Sequence, residues 1–147
     1  MKKIKPILIF IFSVIVTFLM ASILGTQIIL ADILSFGLDV TFSDRVSATI
    51  HDIVGLSQTL SILIAAALLV AFTVSALCTR FLGGNRKYWY LAAGFTSLPA
   101  TLMIIKALMG GTLFAAARGG FGMLLFALCG LVGGWVFARL TQKRIAE

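Results

Sequence analysis

The chain has 147 residues, 61% of them hydrophobic and only 12% charged, with a net charge of +7. A soluble domain usually carries about 25% charged residues, so too few polar side chains exist to cover a water-facing surface, and lipid must cover much of it. No soluble basic domain is left over to hold nucleic acid, so the positive charge is read against the membrane.

Lys2, Lys3 and Lys5 precede a first apolar segment, about Pro6 to Ala31. Its apolar run outlasts the roughly 7–15 residues of a secretory core, and no A-x-A-like site ends it, so it reads as an uncleaved anchor. Residues 32–55 form the longest polar stretch and hold Asp32, Asp39, Asp44 and Asp52, four of the five acidic residues. Leu38, Val40 and Phe42 alternate, which predicts a short extended piece. Ser43 is then the expected N-cap of a short helix with Asp44 in its first turn. Val46, Ile50, Ile53 and Val54 would line its apolar face, with Ser47, His51 and Asp52 opposite. Such a helix would lie on the membrane surface or cap the bundle.

A second span is expected from about Leu56 to Thr79, followed by a tight basic turn through Arg80, Gly83, Gly84, Asn85, Arg86 and Lys87. The third, about Tyr88 to Met109, opens on Tyr88, Trp89 and Tyr90, read as an interfacial aromatic cluster. Pro99 removes one backbone hydrogen bond in mid-span and predicts a kink near Phe95. Glycines flank residues 110–120, whose middle, Thr112 to Ala117, is a candidate outward extension of the fourth span. That span is expected from about Phe121 to Ala138, with Trp135 near its inner end and Arg139, Lys143 and Arg144 after it.

A spanning helix needs roughly 20 apolar residues, so four use nearly the whole chain and imply one transmembrane domain. Nine of the twelve Lys and Arg residues fall at the N-terminus, the 80–87 turn and the C-terminus; Arg45, Lys106 and Arg118 fall on the other side. The positive-inside rule then predicts both termini in the cytoplasm and residues 32–55 outside. The expected fold is an all-α integral membrane bundle of four helices, N-in and C-in, with a short amphipathic helix in the first outer loop. The expected location is a bacterial inner membrane.

Hydrophobic burial does not drive helices together in lipid; close packing and interhelical hydrogen bonds do. Small residues recur at four-residue spacing in every span: Ser13, Thr17, Ala21 and Gly25; Ala67, Ala71, Ser75 and Thr79; Ala93, Ser97 and Thr101; Gly130, Gly134 and Ala138. The last ridge includes a G-x-x-x-G. It predicts close packing either inside one bundle or between subunits.

No catalytic, metal or cofactor motif stands out. The glycines at 119, 120 and 122 lack the preceding strand and the following lysine of a phosphate loop. His51 is the only histidine, too few for haem and too few for zinc. A triad of Ser, His51 and Asp52 fails because neighbours along a helix do not face each other. Cys78 and Cys129 differ in predicted depth by roughly 12 Å, too far for a disulfide. The candidate ligand site is the outer rim: Gln27, Asp32, His51, Asp52, Gln58, Lys106 and Arg118. Helical rise puts Lys106 about 27 Å above Tyr88 and Arg118 about 31 Å above Arg139, near the outer edge of the hydrocarbon. There they would pair with Asp32, Asp39 or Asp52, or form an anion pocket for a lipid headgroup or small acidic ligand. Three functions remain. The first is a non-enzymatic membrane subunit, as a homo-oligomer or part of a larger complex. The second is a transporter, channel or lipid-handling protein, and the third a small membrane enzyme. Membrane lipids, including anionic ones, are the expected partners.

Overall fold

The computed structural model describes residues 4–35, 37, 39, 41–55, 57–83, 85–110, 115–117 and 119–145. It is helical: α1 (Ile4–Ser35), α2 (Phe42–Gly55), α3 (Ser57–Leu82), α4 (Arg86–Met109) and α5 (Gly120–Ile145), with a 3₁₀ turn at Ala115–Ala117. Four helices are long and apolar enough to cross a membrane, over Pro6–Ser35, Ser57–Phe81, Arg86–Leu108 and Gly120–Gln142. Lipid offers no hydrogen bonds, so an apolar chain that enters it must satisfy its backbone internally, as a helix does.

All four long helices outrun the apolar segments that announce them. The expected first span ends at Ala31, but α1 continues through Asp32 to Ser35, where the Ser35 hydroxyl donates to the Asp32 carbonyl at 2.6 Å. The expected fourth span ends at Ala138, and α5 runs on to Ile145. Charge ends a hydrophobic run without ending a helix. A glycine in the left-handed region follows three of the four long helices, with Gly83 (φ 71°) after α3. Gly37 (φ 79°) follows α1, and Gly110 (φ 68°) closes α4.

Two local expectations change. Phe42 belongs to α2 rather than to an extended piece, and Leu38 and Val40 lie outside the described residues. Thr41, not Ser43, caps α2. The Asp44 carboxylate accepts from the Thr41 amide at 3.0 Å and the Thr41 hydroxyl at 2.6 Å, while the Asp44 amide faces the Thr41 hydroxyl oxygen at 3.3 Å. This is a reciprocal box three residues wide, which wins because Asp44 is then at the position that can reach back.

Neighbouring long helices run antiparallel in the cyclic order α1, α3, α4, α5. The α4–α5 seam is the tightest. Gly130 and Gly134 lie against Gly94 and the Tyr90 carbonyl, backbone on backbone. The G-x-x-x-G ridge is therefore occupied by α4 of the same chain, and Ala138 is buried below it. On the other flank of α5, the Ser13 hydroxyl of α1 donates to the Gly133 carbonyl at 2.6 Å. On α3, Ser75 donates to the Trp89 carbonyl of α4 at 2.9 Å.

Ile64 and Leu68 of α3 and Leu98 of α4 fill the middle of the core. Toward the end that carries Ile4 and Ile145, an aromatic cluster takes over. Phe72 stacks on Phe137 at 4.4 Å between centroids and meets Tyr90 edge-on at 5.6 Å. Tyr90 is thus a core residue, only 2% exposed, not a member of an interfacial belt; Tyr88, two positions earlier and rotated away, is exposed. Alternate positions on a helix face nearly opposite ways, so the three aromatics could not share one surface.

The Ala115–Ala117 turn also departs from expectation. It does not lengthen α5 outward but folds back between α1 and α5, with Ala116 and Ala117 buried. A Cβ on Gly25 would touch the Ala116 side chain at 3.7 Å, and one on Gly122 would strike the Ala116 carbonyl. The absence of a side chain at Gly122 is what lets the turn in. Thr112 to Phe114 lie outside the described residues.

Candidate functional site

The spans themselves offer little chemistry. Thr96, Ser97 and Thr101, near Pro99, donate to the carbonyls of Ala92, Gly94 and Ser97 at 2.8–2.9 Å. Thr17 and Thr79 likewise bond one turn back. These hydroxyls are spent on helix backbone. The carbonyl freed by Pro99 is that of Phe95, and α4 stays helical across it. Cys78 and Cys129 are free thiols, the second buried. Among the described residues no three His, Cys, Asp or Glu side chains gather as a metal site would require. A cleft of about 300 Å³ between α3 and α4 is lined by Ala71, Val74, Ser75, Cys78, Trp89, Ala92, Ala93 and Thr96.

Polar chemistry concentrates where α2 lies against α1. Arg45, Thr49 and Asp52 sit at i, i+4 and i+7, one face of a helix. That face is turned toward α1. Arg45 Nη1 donates to Gln27 Oε1 at 2.8 Å, and Thr26 Oγ1 donates to Asp52 Oδ2 at 2.7 Å. The Thr26 hydroxyl also faces the Ser22 carbonyl at 2.9 Å. It has one proton, and the charge-assisted bond to the carboxylate is the stronger use of it. Thr26 is buried, and Asp52, Gln27 and Arg45 are half-buried.

Of the large apolar residues of α2, Ile53 packs against the core, and the rest face away from the protein. Phe42, Val46, Ile50 and Val54 follow each other at four-residue spacing and are 81%, 43%, 58% and 70% exposed. Between the two helices a cleft of about 230 Å³ is lined by Gln27, Phe42, Arg45, Val46, Thr49 and Ile50. One cation is thus set among three apolar walls. At the N-terminus of α2, the hydrogen bonds from the Thr41 hydroxyl and amide hold the Asp44 carboxyl below its ordinary pKa.

The rim residues expected from sequence divide. Gln27 and Asp52 are brought to the α1–α2 seam. Asp32, His51, Gln58 and Lys106 are exposed and do not join them. Arg118 lies outside the described residues. Among the described residues, no ion pair ties Lys106 to Asp32, Asp39 or Asp52; Asp52 takes Thr26 instead. Sequence reasoning counted Arg45 only as a charge on the outer side and passed over Thr26. The signal was present: Arg45 and Asp52 are seven residues apart, so both must share a face of any helix between them. Comparison with protein-family models, with curated proteins and with solved structures found no match.

Proposed function

We propose that the chain is a non-enzymatic membrane subunit, working as a homo-oligomer or as part of a larger membrane complex. The observation that carries this reading is the fate of the polar groups in the spans. The Ser and Thr hydroxyl bonds described in the spans go to backbone carbonyls or, at Thr26, to the docked helix α2, and of the buried hydroxyls only those of Ser22 and Thr141 are without a bond among the described residues. The sole acidic residue within the four spans is Asp32, three residues from the end of α1. Proton- and cation-coupled carriers usually keep an acidic group well inside the membrane, and no Asp or Glu of this chain lies deeper in a span than Asp32. Its spans are built for packing.

Both termini lie in the cytoplasm in this reading, and α2 lies at the opposite interface of a bacterial inner membrane. The excess of Lys and Arg beside the termini and the 80–87 turn supports that orientation. The α2 helix is amphipathic with its apolar stripe outward, which suits a helix half-sunk in lipid. The test is to cut particles from the membrane with a styrene–maleic acid polymer and determine their composition. More than one copy of the chain, or a second protein at fixed stoichiometry, is the expected result. A lone monomer that conducts ions or solutes when placed in liposomes would overturn the reading.

A further inference from the structure

We propose that the cleft between α1 and α2 binds an anionic phospholipid, with Arg45 on its phosphate and the Phe42–Val46–Ile50–Val54 stripe along its first acyl chain. The inference rests on the interfacial placement of α2. Three observations lead to it.

The first is charge. A guanidinium has five N–H donors, and the one described bond of Arg45 goes to Gln27, a neutral amide. The two carboxylates nearest to it along α2 are engaged elsewhere, Asp44 by Thr41 and Asp52 by Thr26. A half-buried cation among apolar walls is costly without a counter-charge. Gln27, which lines the cleft with Arg45, adds side-chain amide N–H donors suited to a phosphate oxygen, whereas the Thr49 hydroxyl donates to the Arg45 carbonyl at 2.7 Å.

The second is shape. The cleft of about 230 Å³ has room for roughly eight water-sized groups. That fits a phosphate with its glycerol and the head of a chain, not a whole lipid. The chain must therefore leave the cleft along an apolar surface. The exposed stripe of α2 begins at the cleft wall, through Phe42, Val46 and Ile50, and continues to Val54. A free anion would gain nothing from those walls.

The third is level. Gln27 is 21 residues beyond Pro6, the start of the first span, or about 31 Å at helical rise. The hydrocarbon is about 30 Å thick. An α1 that enters the membrane near Pro6 brings Gln27 to the depth of the phosphates on the far side.

The test uses the full chain, delipidated in detergent and titrated under native mass spectrometry. The probes are dioleoyl phosphatidylglycerol, dioleoyl phosphatidylcholine and inorganic phosphate. Both lipids carry the phosphate, but the choline ammonium offsets its charge, so wild type should bind the net-anionic glycerol lipid about five- to tenfold tighter than the choline lipid. Arg45→Gln should bring the two within about twofold, and Arg45→Lys should keep most of the preference. Ile50→Asn alters only the apolar wall, so it should weaken both lipids alike; it serves also if Arg45→Gln does not fold. Millimolar inorganic phosphate should not displace the bound lipid. An unchanged preference in Arg45→Gln overturns the site, and so does unchanged lipid affinity in Ile50→Asn. Displacement by inorganic phosphate overturns the lipid and leaves a small-anion site. None of these readouts depends on copy number or partners, so a chain that proves monomeric would overturn the subunit reading and leave this one standing.

Discussion

Replacing Gly94 or Gly130 with alanine should push α4 and α5 apart. A Cβ built on Gly94 falls onto the Gly130 carbonyl oxygen and lies 3.1 Å from both the Gly130 carbonyl carbon and the Gly134 Cα. The reciprocal Cβ on Gly130 falls onto the Gly94 carbonyl oxygen. These are backbone atoms, so no side chain can swing aside. The axes must part by about 1 Å to restore an ordinary separation, and such a gap forfeits roughly a quarter to a half of each dispersion contact across the seam. Overpacking of this kind costs about 1–3 kcal/mol. Alanine's helix propensity returns up to about 1 kcal/mol, which leaves a net loss of up to about 2 kcal/mol for one substitution. Unfolding by SDS in mixed micelles, followed by helicity, reads that loss. Gly120→Ala is the control, because nothing lies within 4 Å of its added Cβ. If Gly94→Ala and Gly130→Ala prove as stable as Gly120→Ala, the backbone contact is not what holds the seam. Gly134→Leu separates the two readings of the ridge. Lost monomer stability follows from an internal seam, whereas a changed oligomer with unchanged stability would mark an interface between copies.

Ser13→Ala removes the bond to the Gly133 carbonyl and should cost about 0.6 kcal/mol, and no more than about 1.7, in the same unfolding assay. Thr26→Val and Asp52→Asn should both loosen α2, seen as faster hydrogen exchange of its amides. Their double-mutant cycle should give a coupling of about 0.5–1.5 kcal/mol, and strict additivity would mean the bond does not hold the helix. Because Thr41 lowers the Asp44 pKa, the capping contribution is fully present above the unfolded value of about 3.9 and is lost as pH falls through the lower folded value. Amide protection in the first turn of α2 should therefore fall as pH drops below the ordinary aspartate range, and Asp44→Asn should abolish that pH dependence.

The four spans were legible because lipid imposes a single rule on the whole segment: length and apolarity together suffice. The ends were less legible, because Asp32 and Arg139 stop an apolar run while α1 and α5 continue to Ser35 and Ile145. Pairing of the small-residue ridges was out of reach. Every span has one, and only the fold shows that Gly130 and Gly134 meet Gly94 while Gly25 receives Ala116. The site was half legible. Gln27 and Asp52 stood out as polar groups at a span end, but their partners Arg45 and Thr26 depend on which face α2 turns to α1. In water its apolar face would turn inward. Here Arg45, Thr49 and Asp52 turn inward together with Ile53 of the expected apolar face, while Phe42, Val46, Ile50 and Val54 are left outside beside Ser47 and His51, a split that period alone does not reveal.

The account stands or falls on which side of a membrane α2 lies. With Cys78 and Cys129 replaced by alanine, Ser47→Cys and Gln142→Cys place single thiols at exposed positions, one on α2 and one near the C-terminal end of α5. The measurement is labelling in sealed spheroplasts with a membrane-impermeant maleimide, before and after permeabilisation. The expected result is immediate reaction at position 47 and reaction at position 142 only once the membrane is opened. The reverse pattern would contradict the orientation, with α2 on the cytoplasmic side, and labelling of both positions on the same side would contradict the four-span arrangement itself.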